Sequence, residues 1–154
     1  MSDSYPVVVP GRWDASVFVP APRSDVFDFL SDPRTRPQWQ ASLDRVEMID
    51  EGEPHVGMRW VDRLKLGLAF ELQIIGMEPD DMWAEIGSTG PFTTFVTLFF
   101  EDETQGGVDG TRVRVVARVR GRRLAKPLAW LGTGLMTGLV RVDLPRIVRA
   151  FAGR

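Results

Sequence analysis

The sequence predicts an α+β domain in which a curved antiparallel sheet wraps a C-terminal helix around an apolar cavity. Three observations predict it. Six segments between Leu43 and Arg120 carry period-two patterning, the spacing of strands with one buried face. After Gly121 the period turns helical and stays so to Phe151. Two short helix signals separate a first strand from the rest. The 154 residues suit one domain over 1–154, and no repeat, linker or low-complexity block divides them.

The elements follow in order. Trp13, Ala15, Val17 and Val19 alternate along a first strand, Arg12–Val19, which Pro20 and Pro22 end. Pro22 suits the first turn of a helix, where its missing N–H costs nothing; that helix runs to about Ser31 with Val26, Phe27 and Leu30 on one face. Asp32-Pro33 opens a second short helix that reaches Trp39. The six strands are expected at Leu43–Asp50, Gly57–Lys65, Leu68–Met77, Met82–Ser88, Phe92–Glu101 and Thr111–Arg120, and turn-rich runs such as Gly106 to Gly110 join them as hairpins. The last strand is the cleanest: Val113, Val115, Ala117 and Val119 share one face, and Arg112, Arg114, Arg118 and Arg120 the other. Beyond it, Ala125, Ala129, Met136, Val140, Ile147 and Phe151 fall on one helical stripe. A straight helix from Arg123 to Phe151 would measure about 43 Å, longer than the ~40 Å expected of the whole domain, so a bend or break is expected near Gly132, Gly134, Gly138 or Pro145.

Composition narrows the function. There is no cysteine and one histidine, which removes disulfides, thiolate sites and cysteine nucleophiles and leaves no zinc set; no metal or cofactor is expected. A net charge of -2 argues against nucleic acid as a partner. The longest apolar run, Leu128 to Val140, has about 13 residues, against the roughly 20 that span a bilayer. A soluble, cytoplasmic protein is expected.

The run Val17-Phe18-Val19-Pro20-Ala21-Pro22-Arg23-Ser24-Asp25-Val26-Phe27-Asp28-Phe29-Leu30-Ser31-Asp32-Pro33, followed by Trp39, by Gly110-Thr111 and by the amphipathic C-terminal segment, resembles the START-like (SRPBCC) superfamily of polyketide cyclases/dehydrases, lipid-transfer domains and pollen-allergen-like proteins. The resemblance implies a helix-grip fold whose sheet holds the last helix, with an apolar ligand between them. It assigns no chemistry, because the opening run supports the sheet and carries no reactive group.

Two carboxylates are candidates for acid–base chemistry. Asp62 interrupts the apolar row Met58, Trp60, Leu64 and Leu66; inside a cavity its pKa would rise and it could exchange protons. A bulge or strand end would instead turn it outward toward Arg63 or Lys65, and we expect that arrangement. Asp143 interrupts the helical stripe near Met136 and Ile147. It would be a polar anchor in the cavity or, as we expect, the cap of a helix restarted at Leu144.

Among the aromatics, Trp39, Trp60, Trp83, Phe70, Phe92, Phe95 and Phe99 could stack on a ligand or pack the core, with Trp60 and Phe70 favoured for the ligand. The expected sheet wall is Met58, Trp60 and Leu64 beside Phe70, Leu72 and Ile74; the helix wall is Met136, Val140 and Ile147, with Trp39 and Phe95 added as ligand contacts. The run Leu131 to Gly138 lacks a phosphate-loop signature and suggests a mobile gate. His55 reads as a solvated turn residue. The basic cluster Arg118, Arg120, Arg122, Arg123 and Lys126 reads as exposed strand and helix start, ahead of a weak contact with a membrane surface.

Two functions are expected from these residues. One is a container for a small apolar molecule, a lipid or polyketide-like compound. The other is a polyketide cyclase or dehydratase in which Asp62 or Asp143 moves protons.

Overall fold

The computed structural model describes residues 12–121 and 139–152. The first strand, β1 (Arg12–Val19), leads through Pro20 and Pro22 into α1 (Arg23–Ser31), whose first turn closes with the Val26 N–H on the Pro22 carbonyl at 3.1 Å. Asp32 then caps a 3-10 turn (Pro33–Thr35), accepting from the Arg34 N–H at 3.0 Å, and α2 (Arg36–Trp39) follows. Both short helices expected after the first strand are therefore present, and Asp32-Pro33 opens the second.

Six more strands complete the sheet: β2 (Leu43–Met48), β3 (Arg59–Leu64), β4 (Ala69–Glu78), β5 (Met82–Thr89), β6 (Phe92–Gln105) and β7 (Val108–Gly121). They pair antiparallel in the order β1-β7-β6-β5-β4-β3-β2, so the chain meanders from β2 to β7 and β1 closes onto the last strand. β6 and β7 run further than the sequence suggested. The run Gly106 to Gly110 is not all connection: only Gly106 and Gly107 turn, at φ 60° and 80°, and Gln105 faces Val108 across the ladder. Positive φ at both central residues is the hairpin geometry that glycine supplies without strain. Gly110 is already inside β7; a Cβ there would run into the Val19 carbonyl oxygen and the Phe18 ring. Beside it, Thr111 donates its hydroxyl to the Ala21 carbonyl at 2.8 Å, so Gly110-Thr111 fastens β7 to the end of β1.

The inner face of the sheet is apolar. Val113, Val115, Ala117 and Val119 of β7 are buried, as are Leu98 and Phe100 of β6. Arg112, Arg114, Arg118 and Arg120 lie on the outer face, where Arg114 pairs with Asp14 and the Arg120 guanidinium sits 5.1 Å from the Phe95 ring. At the C-terminus, α3 (Leu144–Ala152) follows a π-helical turn (Leu139–Asp143) and packs on β1 and α2, burying Leu144 and Ile147. Among the described residues the helical segment runs without a gap from Leu139 to Ala152, changing from π-helix to α-helix just before Pro145. Pro145 cannot donate to a carbonyl one turn back, and the widened turn in front of it leaves it in the first turn of the α-helix. Met136 and the Gly132–Gly138 run lie outside the described residues.

Candidate functional site

A cavity of about 90 Å³ lies between the inner face of β3–β7 and the pair α2 and α3. Its apolar wall is set by strand register. Leu72 pairs across to Trp60 on one side and to Gly87 on the other, while Trp83 pairs with Leu98 and Glu85 with Val96. Leu64, Phe70, Leu72, Val96, Leu98 and Val115 supply most of the hydrocarbon, and Leu144 and Ile147 of α3 close over it. The volume holds several water-sized groups.

One end of this cavity is charged. Arg36, at the start of α2, is buried with 5% of its surface exposed, and its two terminal nitrogens reach separate carboxylates: Nη2 to Asp62 Oδ2 at 2.8 Å and Nη1 to Glu85 Oε2 at 2.9 Å. Asp62 and Glu85 stand on β3 and β5, with β4 between them, and their side chains converge on the one guanidinium. The planar guanidinium presents one terminal nitrogen to each carboxylate. Trp39 and Trp60 flank the fork, with centroids 5.7 and 5.6 Å from the guanidinium carbon. Trp60 also donates its Nε1–H to Asp62 Oδ1 at 3.0 Å and stacks on Trp83 at 6.4 Å.

Asp62 therefore faces inward, against the outward arrangement expected for it. The β2–β3 irregularity lies between Leu43 and Arg45, away from Asp62, so nothing breaks the inward row Trp60, Asp62, Leu64; Arg63 instead pairs with Glu47 on the other face. Asp143 also departs from expectation. The helix does not restart there but passes from π-helix to α-helix at Leu144, and the Asp143 carboxylate accepts from the Ala41 N–H at 2.8 Å and lines the cavity, tying the C-terminal segment to the loop after α2.

Burial dominates the protonation of this cluster. It pushes the Glu85 carboxyl up from 4.5 to about 7, with the Arg36 charge opposing the shift and the Asp62 charge adding to it. Burial raises Asp62 as well, against Arg36 and the Trp60 N–H, and raises Asp143 against the Ala41 N–H and the charges of Arg146 and Arg36. Arg36 is held above its ordinary value: burial, the largest influence, works downward, and the two carboxylates outweigh it.

Four buried side-chain atoms have no hydrogen-bond partner among the described residues: Arg36 Nε, Trp39 Nε1, Trp83 Nε1 and Gln40 Oε1. All four residues line the cavity.

The other candidates divide plainly. Trp39, Phe70, Leu72 and Ile147 line the cavity. Met58, Trp60 and Ile74 are fully buried behind its wall as core. Phe95 stands on the opposite face of β6, against Arg120, because the inward row of that strand is Thr94, Val96 and Leu98. Val140 lies in the π-helical turn, and Met136 is outside the described residues. His55 is exposed, with Nδ1 2.8 Å from the Glu53 carbonyl oxygen. Among the described residues no His, Asp and Glu cluster has metal-site geometry, and no helix is long and apolar enough to cross a membrane.

Sequence reasoning missed Arg36 and Glu85. In β5 the even row Met82, Ala84 and Ile86 is the more apolar, but the odd row Trp83, Glu85 and Gly87 faces the interior. The large Trp83 was the available signal that the odd row is the buried one.

The family model described as polyketide cyclase / dehydrase and lipid transport matches residues 11–152. Solved structures with the same fold include XoxI from Bacillus cereus, at TM-score 0.71 and 12% identity, covering 92% of this chain and 96% of that one. The di-domain ARO/CYC protein BexL from the BE-7585A biosynthetic pathway matches at TM-score 0.68 and 17% identity, over 94% of this chain and 50% of that chain. Ara h 8.0201 matches at TM-score 0.61 and 11% identity, over 94% and 99%. No curated protein matches the chain.

Proposed function

This chain belongs to the polyketide cyclase/dehydrase and lipid-transport family, and on that premise we propose that it takes up a small, mainly apolar ligand between the sheet and α3, with one polar end at Arg36. The observation that carries the reading is the cavity itself: apolar side chains from five strands face it, α3 covers it, and among the described residues its charged lining is Arg36, Asp62, Glu85 and Asp143. The neutral apolar dye N-phenyl-1-naphthylamine tests it. Dye fluorescence should rise to a one-to-one end point with the wild type and be lost in Leu72→Trp, which fills the cavity, while the circular dichroism of the variant stays native. No rise, or an equal rise in the variant, contradicts the reading.

A second reading, a cyclase or dehydratase, is favoured by one observation: a cavity carboxyl, Glu85, is poised near neutral pH beside a guanidinium. Glu85 would pass a proton between the α-carbon and the carbonyl oxygen of a folded polyketone. A linear seven-carbon triketone, which closes to orcinol with loss of one water, provides the assay. Orcinol formation should quicken with the wild type and not with Glu85→Gln; equal rates for the two proteins sink this reading.

A further inference from the structure

The charged end of the cavity carries more information than its charge. Among the described lining residues Arg36 is the one guanidinium, and both terminal nitrogens are already bonded, to Glu85 and Asp62. A third carboxylate, Asp143, lines the same cavity. An incoming carboxylate or phosphate would thus meet three acidic groups and a cation whose two terminal nitrogens are already engaged, in a site where desolvation makes like charges costly.

The unpartnered atoms narrow the ligand from the other side. Arg36 Nε, Trp39 Nε1 and Trp83 Nε1 are three N–H donors, and their residues keep no more than 5% of their surface exposed. Buried donors left unbonded are costly, so a ligand that supplies acceptor oxygens gains at each one it reaches. An ammonium group has no lone pair to offer them. The fourth atom, Gln40 Oε1, is an acceptor and calls for one donor. Neither anion nor cation matches this set; a neutral group that both accepts and donates does.

We propose that the Arg36–Trp39–Gln40–Trp83 end of the cavity is a subsite for a neutral oxygenated ligand, a ketone or quinone that also bears a hydroxyl, and that it selects against free carboxylic acids, fatty acids included. The proposal rests on the cavity reading and specifies its polar end. The carbonyl oxygen takes the indole and guanidinium N–H groups, the hydroxyl donates to Gln40, and the hydrocarbon body lies along Leu72, Val96 and Leu98.

Three probes of one ring skeleton test it: tetralin, a hydroxytetralone and a tetralin carboxylate. Their affinities are measured at neutral pH by displacement of N-phenyl-1-naphthylamine and by isothermal titration calorimetry. The hydroxytetralone should bind about tenfold more tightly than tetralin, the gain of one or two well-formed neutral hydrogen bonds. The carboxylate should bind at least about tenfold more weakly than the hydroxytetralone. Gln40→Met keeps the side chain's length and removes the acceptor, and Gln40 is only half-buried, so the fold should tolerate it. It should lower the preference for hydroxytetralone over tetralin severalfold. A carboxylate that binds as tightly as the hydroxytetralone overturns the proposal while leaving the cavity reading intact. So does a hydroxytetralone no tighter than tetralin, or an unchanged preference in Gln40→Met. If none of the three probes binds, the cavity reading falls and the proposal falls with it.

Discussion

The two faces of the sheet use the same chemistry to opposite ends. On the outer face, Arg59 pairs with Asp50, Arg63 and Arg45 with Glu47, Arg112 with Glu103 and Arg114 with Asp14, all in reach of water. There the hydrogen bonds from arginine hold Asp50, Glu47 and Glu103 below the usual carboxylate range. On the inner face one arginine serves two carboxylates in a dry site, and both are raised. Pairing is equally close on the two faces, so burial decides the sign. Outer pairs of this kind contribute little to stability, because water screens them. A buried pair is weak as a stabiliser, because its desolvation cost rivals its attraction. The inner cluster is therefore better explained by what it offers a ligand than by what it adds to the fold.

The largest contrast should come from deleting the cation on each face. Arg36→Met leaves Asp62 and Glu85 buried without the cation they share and should cost about 3–5 kcal/mol in urea unfolding at neutral pH. Arg114→Met, which removes an outer-face guanidinium in reach of water, should cost several-fold less. Comparable losses for the two would erase the distinction.

The next effect is a pH dependence of opposite sign to that of ordinary paired carboxylates. Glu85 binds its proton more tightly in the folded protein, about 7 against 4.5, so its contribution is full below pH 4.5 and is lost as pH rises through 7. Across that window the wild type should lose up to about 3 kcal/mol of stability, and Glu85→Gln, which cannot titrate, should lose much less. A wild type that gains stability between those pH values, by an amount Glu85→Gln does not change, would contradict the assignment. The smallest effect is expected at Asp143. Asp143→Asn keeps an oxygen for the Ala41 N–H and removes a charge already raised by burial, so its stability at neutral pH should change by about 1 kcal/mol or less.

Most of the fold was legible because it rests on periodicity and turn chemistry. Val113, Val115, Ala117 and Val119 marked their own buried face, and Asp32-Pro33 marked its own helix start. The site was legible only in part. Asp62 stood out as a charge in an apolar row, but its direction depends on where the β2–β3 irregularity falls, and that is fixed by pairing between strands. Glu85 was hidden because its row reads as the less apolar of two, and register with β4 and β6 outweighs that difference. Arg36 differs from its neighbour Arg34 in nothing a single sequence displays; Arg34 reaches Asp32 and the Gly52 carbonyl at the surface, while Arg36 points into the sheet. Residues that meet only through tertiary packing leave no local signature.

The central claim, that burial outweighs pairing on the inner face, is tested most directly by a carbon-13 NMR titration of the glutamate side-chain carboxyls in the ligand-free protein. Glu85 should titrate near pH 7 while Glu47, paired with arginine on the outer face, titrates below the ordinary glutamate value. A Glu85 carboxyl that titrates at or below the value of Glu47 would show that Arg36 neutralises the cluster completely, and would contradict this account.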